Sequence, residues 1–522
     1  MDTRETTKSD SAHLENVANL PDKLTVCVSS PWKCIAENPV VILFCLYGNL
    51  GALMYGFDNL VLSLALSMPG FEIQFGELSN GSYVIPAYWQ SLWSAMSQVA
   101  TMLGATTAGP VQDRFGRRAS FLLGAIFSVA GVAVVYTAST PGVFLAGKIV
   151  NGLSLGICLT SGQTYISEVS PMQIRGIALS AFTFCMNLGY MIAASVALPR
   201  MSMVTPAAYK VLFAAAWVWP GVIILLLPFI PESPYFLVMR DELDKAQKSL
   251  ARLGNNPSQV TPLLDQIVRV NEEEKARSAA AEGASFLECF RGINWRRTRI
   301  ILICNGLSQV VGASFMSNGP YFLVSAGMSS AKIGMMTEIG IGFGLASSIL
   351  TAYLMAKCGR RRLIMFGLSL STVFYTVMGI AGCFPNSTTA LWVIGVFLEL
   401  TWWVYGPAIG PAMSIAGEVS AVRLRAKSMA VGFTFNYFFS TVWNVVMPYL
   451  YNPDEAHLGG KIGWIFSFLG LVTLAIIHFE VPETKGRSFE DLDEMFNEKV
   501  STRGFRTYQC CLPQELRKLD DE

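Results

Sequence analysis

The sequence predicts an all-α membrane protein whose twelve transmembrane helices form two six-helix, pseudo-symmetric halves with a cytoplasmic helical linker. Three observations predict this fold class: the composition, the recurrence of long apolar segments, and a set of motifs that occurs twice. Of the 522 residues, 52% are hydrophobic and only 14% are charged. A soluble domain carries about 25% charged residues, so this chain has too little polar sequence to cover a water-exposed surface.

The charge balance and the motif content disfavour several other classes. The 38 Lys and Arg residues balance the 37 Asp and Glu residues, and a net charge of +1 disfavours a nucleic-acid partner. The 11 cysteines lack the paired spacing of metal ligands. Gly152-Leu-Ser154-Leu-Gly156 matches a hydrolase pattern but lies inside an apolar segment, and the sequence has no phosphate-binding loop. We therefore expect no enzyme activity, no metal and no cofactor.

Apolar segments long enough to cross a bilayer recur from residue 40 onward. Residues 1–39 are polar and lack the apolar core of a signal peptide, so we expect a cytoplasmic N-terminal tail. The N-terminal half is expected at 40–230, the cytoplasmic linker at 231–297, the C-terminal half at 298–482 and a cytoplasmic C-terminal tail at 483–522. The expected spans are 40–66, 88–112, 119–140, 143–168, 176–199, 209–230, 298–326, 333–356, 362–384, 389–418, 426–451 and 462–482.

The loops predict the orientation of the chain. Lys and Arg concentrate in the loops after the even-numbered spans, and cytoplasmic loops carry this excess. An even number of spans then places both termini in the cytoplasm. The glycosylation sequons at Asn80 and Asn386 both fall on the opposite, outward side.

A repeated set of motifs divides the chain into two homologous halves. Each motif of the first half reappears in the second half in the same order and on the same side of the membrane, which indicates parallel repeats. The pairs are Gly116-Arg-Arg with Gly359-Arg-Arg, Glu168…Arg175 with Glu418…Arg425, and Pro231-Glu-Ser with Pro482-Glu-Thr.

These motifs carry a family resemblance. The loop Gly109-Pro-Val-Gln-Asp113-Arg114-Phe-Gly116-Arg117-Arg118 resembles the signature loop of the major facilitator superfamily, and Pro231-Glu-Ser-Pro234 resembles a motif of its sugar porter family. Arg423-Leu-Arg-Ala-Lys427 and Pro448-Tyr-Leu-Tyr-Asn-Pro453 resemble fungal maltose permeases and general α-glucoside permeases. The resemblance runs from about residue 40 to 506 and implies the major facilitator fold and transport by alternating access.

The resemblance also implies a cytoplasmic gate built from charged residues. Charges this near the membrane are costly unless they are paired. We expect the glutamates and arginines to meet across the two halves and to separate when the inside exit opens. Ala356 stands where the family has an acidic residue, so the second cluster should be weaker. The expected gate residues are Asp113, Arg114, Arg117, Arg118, Glu168, Arg175, Arg360, Arg361, Glu418 and Arg425.

Asp58 is the candidate proton-coupling residue. It lies deep within the first apolar span, where an unpaired carboxylate is expensive. Proton-coupled sugar porters carry an aspartate at the matching position, and Lys148 matches the family's arginine of the fourth span. Lys148 could be the cation that alternately pairs with Asp58. The alternative is a static buried ion pair with a structural role only.

Sugar recognition requires polar side chains for hydroxyl groups and aromatic rings for the apolar face of the sugar. The expected substrate-binding residues are Gln309, Ser314, Asn318 and Tyr321 in the seventh span, Trp402 in the tenth, Asn436 (with Asn444) in the eleventh, and Thr183 in the fifth. Thr183, Gly344 and Met413 replace bulkier or more polar residues of hexose porters. A substrate larger than a hexose is therefore expected.

The sequence thus predicts a secondary active transporter that imports an α-glucoside together with a proton by alternating access, as a monomer in a lipid bilayer. Two alternatives stay open at this point. One is an exporter of a secondary metabolite on the same scaffold, and the other is a sugar sensor that does not transport. Only 40 residues follow Pro482, fewer than the long signalling tail of sensor-like members.

Overall fold

The protein is described by a computed structural model, which covers residues 39–79, 82–170, 172–254, 257–281, 286–384, 387–420, 424–485, 487, 489–506 and 508. Helices dominate these residues. Those of the N-terminal half are α1 (Pro39–Gly48), α2 (Leu50–Leu66), α3 (Pro69–Phe75), α4 (Ala87–Phe115), α5 (Arg117–Thr137), α6 (Pro141–Val169), α7 (Met172–Ala197), α8 (Ala207–Ala215) and α9 (Val218–Leu226). The linker contains α10 (Pro234–Met239), α11 (Leu243–Arg252) and α12 (Pro257–Ala281). The C-terminal half contains α13 (Gly292–Val310), α14 (Ala313–Ser317), α15 (Gly319–Ser325), α16 (Ser330–Lys357), α17 (Arg360–Ala381), α18 (Thr388–Val419), α19 (Arg425–Tyr451) and α20 (Ile462–Glu480), followed by α21 (Phe489–Asn497).

A short antiparallel hairpin, β1 (Glu77–Ser79) and β2 (Ser82–Val84), connects α3 to α4. The hairpin lies at one end of the bundle, which we call the hairpin end. The turns at Gly116 and Gly359 lie at the other end, which we call the arginine end. The sequons at Asn80 and Asn386 lie outside the described residues.

Ten helical segments among the described residues are long and apolar enough to cross a membrane. They coincide with ten of the expected spans. The other two expected spans are occupied by the long helices α4 and α19, which are less apolar because they contribute polar residues to the centre of the bundle. The total of twelve spans stays a prediction.

The helices pack as two bundles that meet face to face. Within the N-terminal half, α4 and α5 pack on α6, and α2 packs on α7. The C-terminal half repeats this arrangement, with α16 and α17 packed on α18. The two halves meet where α4 contacts α19 and where α7 contacts α16. The functional site lies between these contacts.

Small residues allow the helices within a half to approach closely. Gly156 of α6 lies against α4, where an added Cβ would be 2.0 Å from the carbonyl oxygen of Thr101. Membrane helices pack through such small residues because lipid offers no hydrophobic drive for association. Large apolar side chains such as Leu225 and Phe468 are instead about two-thirds exposed, as expected for groups that contact lipid.

Linker helix α11 buries apolar residues that recur every three or four positions. Ala246, Leu250 and Leu253 are buried, but Leu243, at the first position of α11, is 46% exposed. The Ser249 hydroxyl donates a hydrogen bond to the carbonyl oxygen of Glu232 at 2.5 Å. The linker therefore packs on the turn that begins it.

Candidate functional site

A polar cavity lies between the two halves. Its empty volume is about 490 Å³, part of it open to solvent. Helices α2, α4 and α6 line it from the N-terminal half, while α14, α19 and the residue between α14 and α15 line it from the C-terminal half. The lining residues are Tyr55, Asp58, Asn59, Leu62, Ser63, Ser94, Ser97, Gln98, Thr101, Lys148, Leu155, Ser317, Asn318 and Asn444. Hydroxyl and amide groups dominate this surface, which suits a ligand rich in hydrogen-bonding groups.

Asp58 and Lys148 form an ion pair in the wall of the cavity. The Lys148 Nζ donates to Asp58 Oδ2 at 2.7 Å, and the side chains are 3% and 11% exposed for Lys148 and Asp58. Asn151, one turn after Lys148 on α6, donates its Nδ2 to Asp58 Oδ1 at 2.7 Å. The Asn151 Oδ1 in turn accepts from the Ser128 hydroxyl at 3.2 Å. Both carboxylate oxygens therefore have hydrogen-bond partners, as a buried acidic side chain in an apolar helix requires.

A second polar group lies within the C-terminal half. Gln309 donates its Nε2 to Asn436 Oδ1 at 3.0 Å, and the Ser314 hydroxyl donates to Gln309 Oε1 at 2.9 Å. Asn318 donates its Nδ2 to the carbonyl oxygen of Ser314 at 2.8 Å. Of these four residues, Asn318 lines the cavity. Gln309, Ser314 and Asn436 hydrogen-bond to one another, so these bonds have to break before the side chains can bind a ligand.

A break in the seventh expected span positions this group. Gly312 has a φ of +91°, which favours glycine, and it separates α13 from α14. The break frees backbone carbonyls in the middle of the bundle, where each requires a partner. The Tyr375 hydroxyl of α17 donates to the carbonyl oxygen of Val311 at 2.7 Å. Irregular backbone next to a polar cavity is typical of binding sites in transporters.

The two halves are joined at the hairpin end by a buried hydrogen-bond network, which we call the latch (Gln90, Tyr321 and Asn452). Gln90 Nε2 donates to the Tyr321 hydroxyl at 3.3 Å and to Asn452 Oδ1 at 3.0 Å. The Tyr321 hydroxyl donates to Asn452 Oδ1 at 2.9 Å, and Asn452 Nδ2 donates to the carbonyl oxygen of Ile85 at 2.9 Å. Since Gln90 and Ile85 belong to one half and Tyr321 and Asn452 to the other, the latch closes this end of the cavity.

At the arginine end, each half contains the same cluster of charges. In the first half, Arg117 donates from its guanidinium to Glu168 at 2.6 Å. The backbone N–H groups of Arg117 and Arg118 donate to the two carboxylate oxygens of Glu232 at 2.9 and 3.3 Å. A carboxylate at the start of α5 is favourable because the N–H groups there lack helical partners. Gly116, with a φ of +92°, makes room for Glu232.

The second half repeats these contacts with other residues. Arg360 donates to Glu418 at 2.9 Å, and the backbone N–H groups of Arg360 and Arg361 donate to Glu483 at 2.9 and 3.2 Å. Both partners of the Arg360 pair are 23% exposed, against 6% and 14% for Arg117 and Glu168. The second pair is thus longer and more exposed than the first. The weaker interaction that the sequence predicts for this cluster stays a prediction.

Among the described residues, Arg117–Glu168 and Arg360–Glu418 each join two helices of the same half. The physical reason is the tight turn at Gly116 or Gly359, which places the next arginine beside the glutamate at the end of the neighbouring helix. The expected pairing of these charges across the halves stays a prediction. The side chains of Arg175 and Arg425 lie outside the described residues. Asp113 and Arg114 are exposed, and Arg114 lies over the ring of Phe115.

The remaining substrate-binding candidates lie away from the cavity. Tyr321 is buried in the latch, and Trp402 packs its ring 5.3 Å from that of Tyr190 across the halves. Thr183 is exposed and does not line the cavity. We expected Gly344 to enlarge the site. It lies beside Trp402, and a Cβ added to Gly344 would be 3.5 Å from the Trp402 ring. Their roles as sugar ligands stay predictions.

Several residues of the site were not predicted from the sequence. Asn151 follows Lys148 by three positions, the spacing that puts both on one helix face, and this signal could have identified it. Asn59 and Gln98 line the cavity from α2 and α4, but polar residues are common on such helices and nothing marks these two. Gln90 and Asn452 are 362 positions apart, so no local pattern indicates their contact.

Two similar helical halves around a polar cavity, in a chain with long apolar helices, define a multi-pass membrane transporter. The family model described as "Sugar (and other) transporter" matches residues 44–496. The chain belongs to this family.

Curated relatives extend over most of the chain. The MFS transporter fmqE of Aspergillus fumigatus is 30% identical over 500 residues, which are 93% of this chain and 92% of that protein. The general α-glucoside permease of Saccharomyces cerevisiae is 27% identical over 482 residues, covering 91% of this chain and 78% of the permease. The maltose permease MAL31 of the same yeast is 28% identical over 465 residues, covering 87% of this chain and 75% of that protein.

Solved structures of the Escherichia coli xylose transporter XylE have the same fold. Its inward-open form superposes with a TM-score of 0.69 at 19% identity, covering 87% of this chain and 99% of that one. The proton:xylose symporter XylE bound to 6-bromo-6-deoxy-D-glucose superposes with a TM-score of 0.65 at 22% identity, covering 88% of this chain and 100% of that one. The major facilitator fold expected from the repeated motifs is confirmed.

Proposed function

We propose that the protein is a proton-coupled importer of an α-glucoside that works by alternating access. The cavity between the halves is the substrate site, and Asp58 is the proton-coupling residue. The arginine end, with both termini, faces the cytoplasm, and the protein acts as a monomer in the cell membrane. The observation that carries the proposal is the Asp58–Lys148 ion pair in the wall of a hydroxyl- and amide-lined cavity.

The chemistry of the cavity supports a polyhydroxylated substrate. Asn59, Gln98, Asn318 and Asn444 offer amides that both donate and accept hydrogen bonds. Tyr55 supplies a ring that can cover the apolar face of a sugar. A largely apolar cargo would leave the remaining hydrogen-bonding capacity of these amides unused, and a buried polar group without a partner costs about 1–3 kcal/mol. A sugar or glycoside therefore fits the cavity better than an apolar metabolite.

The position of Asp58 supports proton coupling. Its carboxylate borders the cavity, so water and substrate can reach the group that Lys148 neutralises. If Lys148 moves away, the buried charge loses its partner and the carboxylate binds a proton instead. A substrate that inserts among these groups would link that proton to its own binding.

The latch supports alternating access. It closes the cavity at the hairpin end through contacts between the halves, whereas the described arginine pairs join helices within one half. Opening at the hairpin end requires the latch to break while each half keeps its own arginine cluster. Rigid halves that rock around a central site are the usual motion of this fold.

Competition for uptake tests the substrate class. A transporter-null yeast host expressing the chain is given labelled maltose, with unlabelled glucose, maltose or sucrose as competitors. We expect the disaccharide α-glucosides to compete well and glucose to compete poorly. Competition by glucose alone at low concentration would contradict the size argument, and competition by no sugar would favour the metabolite exporter. Expression without uptake, but with sugar-dependent signalling, would favour the sensor.

A further inference from the structure

The C-terminal half contains a carboxylate that no part of the proposed mechanism uses. Glu399 lies in α18, eleven residues after the helix begins at Thr388, so it is about 16 Å along a helix that rises 1.5 Å per residue. The residue is only 5% exposed. It faces α16, where a Cβ added to Gly340 would lie 1.9 Å from Glu399 Oε2. The absence of a side chain at Gly340 makes the space that the carboxyl group occupies.

The carboxyl group has little support from hydrogen bonds. The Thr337 hydroxyl of α16 donates to Oε1 at 3.5 Å, the outer limit for such a contact. Oε2 has no hydrogen-bond partner among the described residues. None of the ion pairs that the structure describes includes Glu399, in contrast to Asp58, whose two oxygens are both paired.

The charged groups on the surrounding helices lie elsewhere or have their own partners. On α16, Glu338 accepts from the Ser195 hydroxyl across the halves at 2.6 Å, and Lys332 lies over the ring of Trp392 nearer the hairpin end. The remaining titratable side chains of α13, α16, α17 and α19 are the arginine-end residues Arg296, Arg297, Arg299, Lys357, Arg360, Arg361, Arg362, Arg425 and Lys427, together with Cys304, Tyr353, Tyr375, Tyr437, Tyr449 and Tyr451. On α18 itself the other charged residue is Glu418, at the arginine end. No described cation neutralises Glu399.

An ionised carboxylate in this place is physically expensive. Transfer of an unpaired charge into the apolar interior of a membrane protein costs at least about 2.5–3.5 kcal/mol. The group avoids this cost when it binds a proton and becomes a neutral carboxylic acid. A neutral acid carries no charge to neutralise, and its carbonyl oxygen can accept the hydrogen bond that the Thr337 hydroxyl donates.

We propose that Glu399 is a second proton-binding site, located in the C-terminal half between α16 and α18, which holds its proton in this conformation and releases it when the two helices separate. The site is distinct from Asp58, which lies in the other half and is ion-paired. Proton release requires water as the acceptor, and water reaches the carboxyl group only when the contact with Gly340 opens.

The structure of α18 makes such a separation possible. Pro407 and Pro411 lie inside the helix, and each proline removes a backbone hydrogen bond and favours a bend. The segment before Pro407 carries Glu399 and, one turn later, Trp402, which packs on Tyr190 of the other half. A change in how the halves meet at Tyr190 is therefore transmitted to the segment that buries Glu399.

Infrared difference spectroscopy tests this proposal without any transport assay, so its outcome is independent of the proposed function. The purified full chain in lipid nanodiscs, with Glu72→Gln as the common background, is taken from neutral to alkaline pH, and the C=O stretch of protonated carboxylic acids is recorded. Exposed carboxyl groups are already ionised at neutral pH, so we expect a carboxylic-acid band at neutral pH that comes from Glu399 and is lost at alkaline pH. The band should be absent from Glu399→Gln and should persist in Asp58→Asn and in the matched control Glu338→Gln.

A second variant keeps the test decisive if Glu399→Gln does not fold. Glu399→Asp retains a carboxylic acid in a slightly different place, so the band should shift in frequency rather than disappear. A wild-type spectrum without the band, or a band that is unchanged in both Glu399 variants, would overturn the proposal.

Discussion

At the scale of single residues, burial decides what each charged group can do. Asp58 and Lys148 form an ion pair with support from Asn151, whereas Glu399 is buried and takes part in none of the ion pairs that the structure describes. Removal of one partner of a buried ion pair costs about 3–5 kcal/mol because it leaves the other charge unpaired. The same pair can therefore be essential for stability and for coupling, and an experiment has to separate these effects.

The variant Asp58→Asn should abolish accumulation of substrate against its gradient and spare exchange between internal and external substrate. An amide cannot carry a proton, but it can still accept a hydrogen bond from Lys148. Labelled-maltose uptake and counterflow in proteoliposomes measure the two activities.

The double variant Asp58→Asn/Lys148→Met is the control for stability. It removes both charges, so it should recover the thermal stability that Asp58→Asn loses while uphill accumulation stays absent. Undiminished accumulation in Asp58→Asn would reject Asp58 as the coupling residue.

Glu72 gives a prediction about pH. It lies on α3, in the loop at the hairpin end, where burial raises the pKa of its carboxyl group from 4.5 to about 7. The folded state binds this proton more tightly than the unfolded state. The stabilisation that protonated Glu72 contributes is therefore complete below pH 4.5 and is lost as the pH rises to about 7. This pKa shift corresponds to a contribution on the order of 3 kcal/mol to the free energy of unfolding. Melting curves of Glu72→Gln should lack the decline that wild type shows across this window.

The exposed Glu77, in the adjacent hairpin, provides the matched control. Glu77→Gln should keep the wild-type decline between pH 4.5 and 7. An identical pH profile for Glu72→Gln and wild type would show that Glu72 does not titrate in this range.

At the scale of elements, the interrupted seventh span is the feature that shapes the site. Gly312 ends the regular helix, and the Tyr375 hydroxyl supplies the donor that the freed Val311 carbonyl needs. A Cβ at Gly312 would lie 2.2 Å from that hydroxyl. The break, the glycine and the tyrosine therefore belong together, and they place Ser314 and Asn318 next to the cavity.

Tyr375→Phe should destabilise the protein by about 1–3 kcal/mol, because the buried Val311 carbonyl is left without a partner. Thermal unfolding in detergent measures the change. Tyr353→Phe is the control, since Tyr353 is 57% exposed and its hydroxyl is free to meet water or lipid headgroups. Equal stability of both variants would contradict this account of the break.

The latch gives a prediction about access to the cavity. The double variant Gln90→Ala/Tyr321→Phe removes the hydrogen bonds that these side chains make across the halves, so the hairpin end should open more often. Ser63 lines the cavity and accepts from the Tyr321 backbone N–H at 3.3 Å. A Ser63→Cys probe should then react faster with a membrane-impermeant thiol reagent added outside.

Tyr88→Phe in the same probe background is the control, because Tyr88 lies at the start of the same helix as Gln90 but is exposed. It should leave the labelling rate unchanged. A latch variant that labels no faster than this control would remove the latch from the mechanism.

At the scale of the whole molecule, the repeat explains why much of the fold can be predicted from the sequence. Apolar segment length fixes the helices, and the paired motifs fix how the halves correspond, as the matching Glu232 and Glu483 contacts confirm. The ends of the helices are close to the expected bounds. The breaks at Gly312 and within the sixth span were not predicted, because a glycine in an apolar segment has no single structural meaning.

The site is less predictable than the fold. Asp58 was identified because a charge in an apolar span is rare, whereas Lys148 and Asn318 were identified because their positions resemble those of the family. Tyr321 and Trp402 were assigned to the sugar, but aromatic side chains serve packing and recognition equally well, and the structure places these two in contacts between the halves. Glu399, like Asp58, is an acidic residue within an apolar span. It was not predicted as a functional residue because no family motif surrounds it.

Proton-driven accumulation of maltose tests most directly whether the protein is a proton-coupled importer. The purified chain is reconstituted into liposomes, a pH gradient that is acidic outside is imposed, and labelled maltose and internal pH are followed together. We expect maltose accumulation above the external concentration, internal acidification that depends on maltose, and loss of both with a protonophore or in Asp58→Asn. Maltose equilibration that ignores the gradient, with no maltose-dependent proton movement, would contradict proton-coupled import.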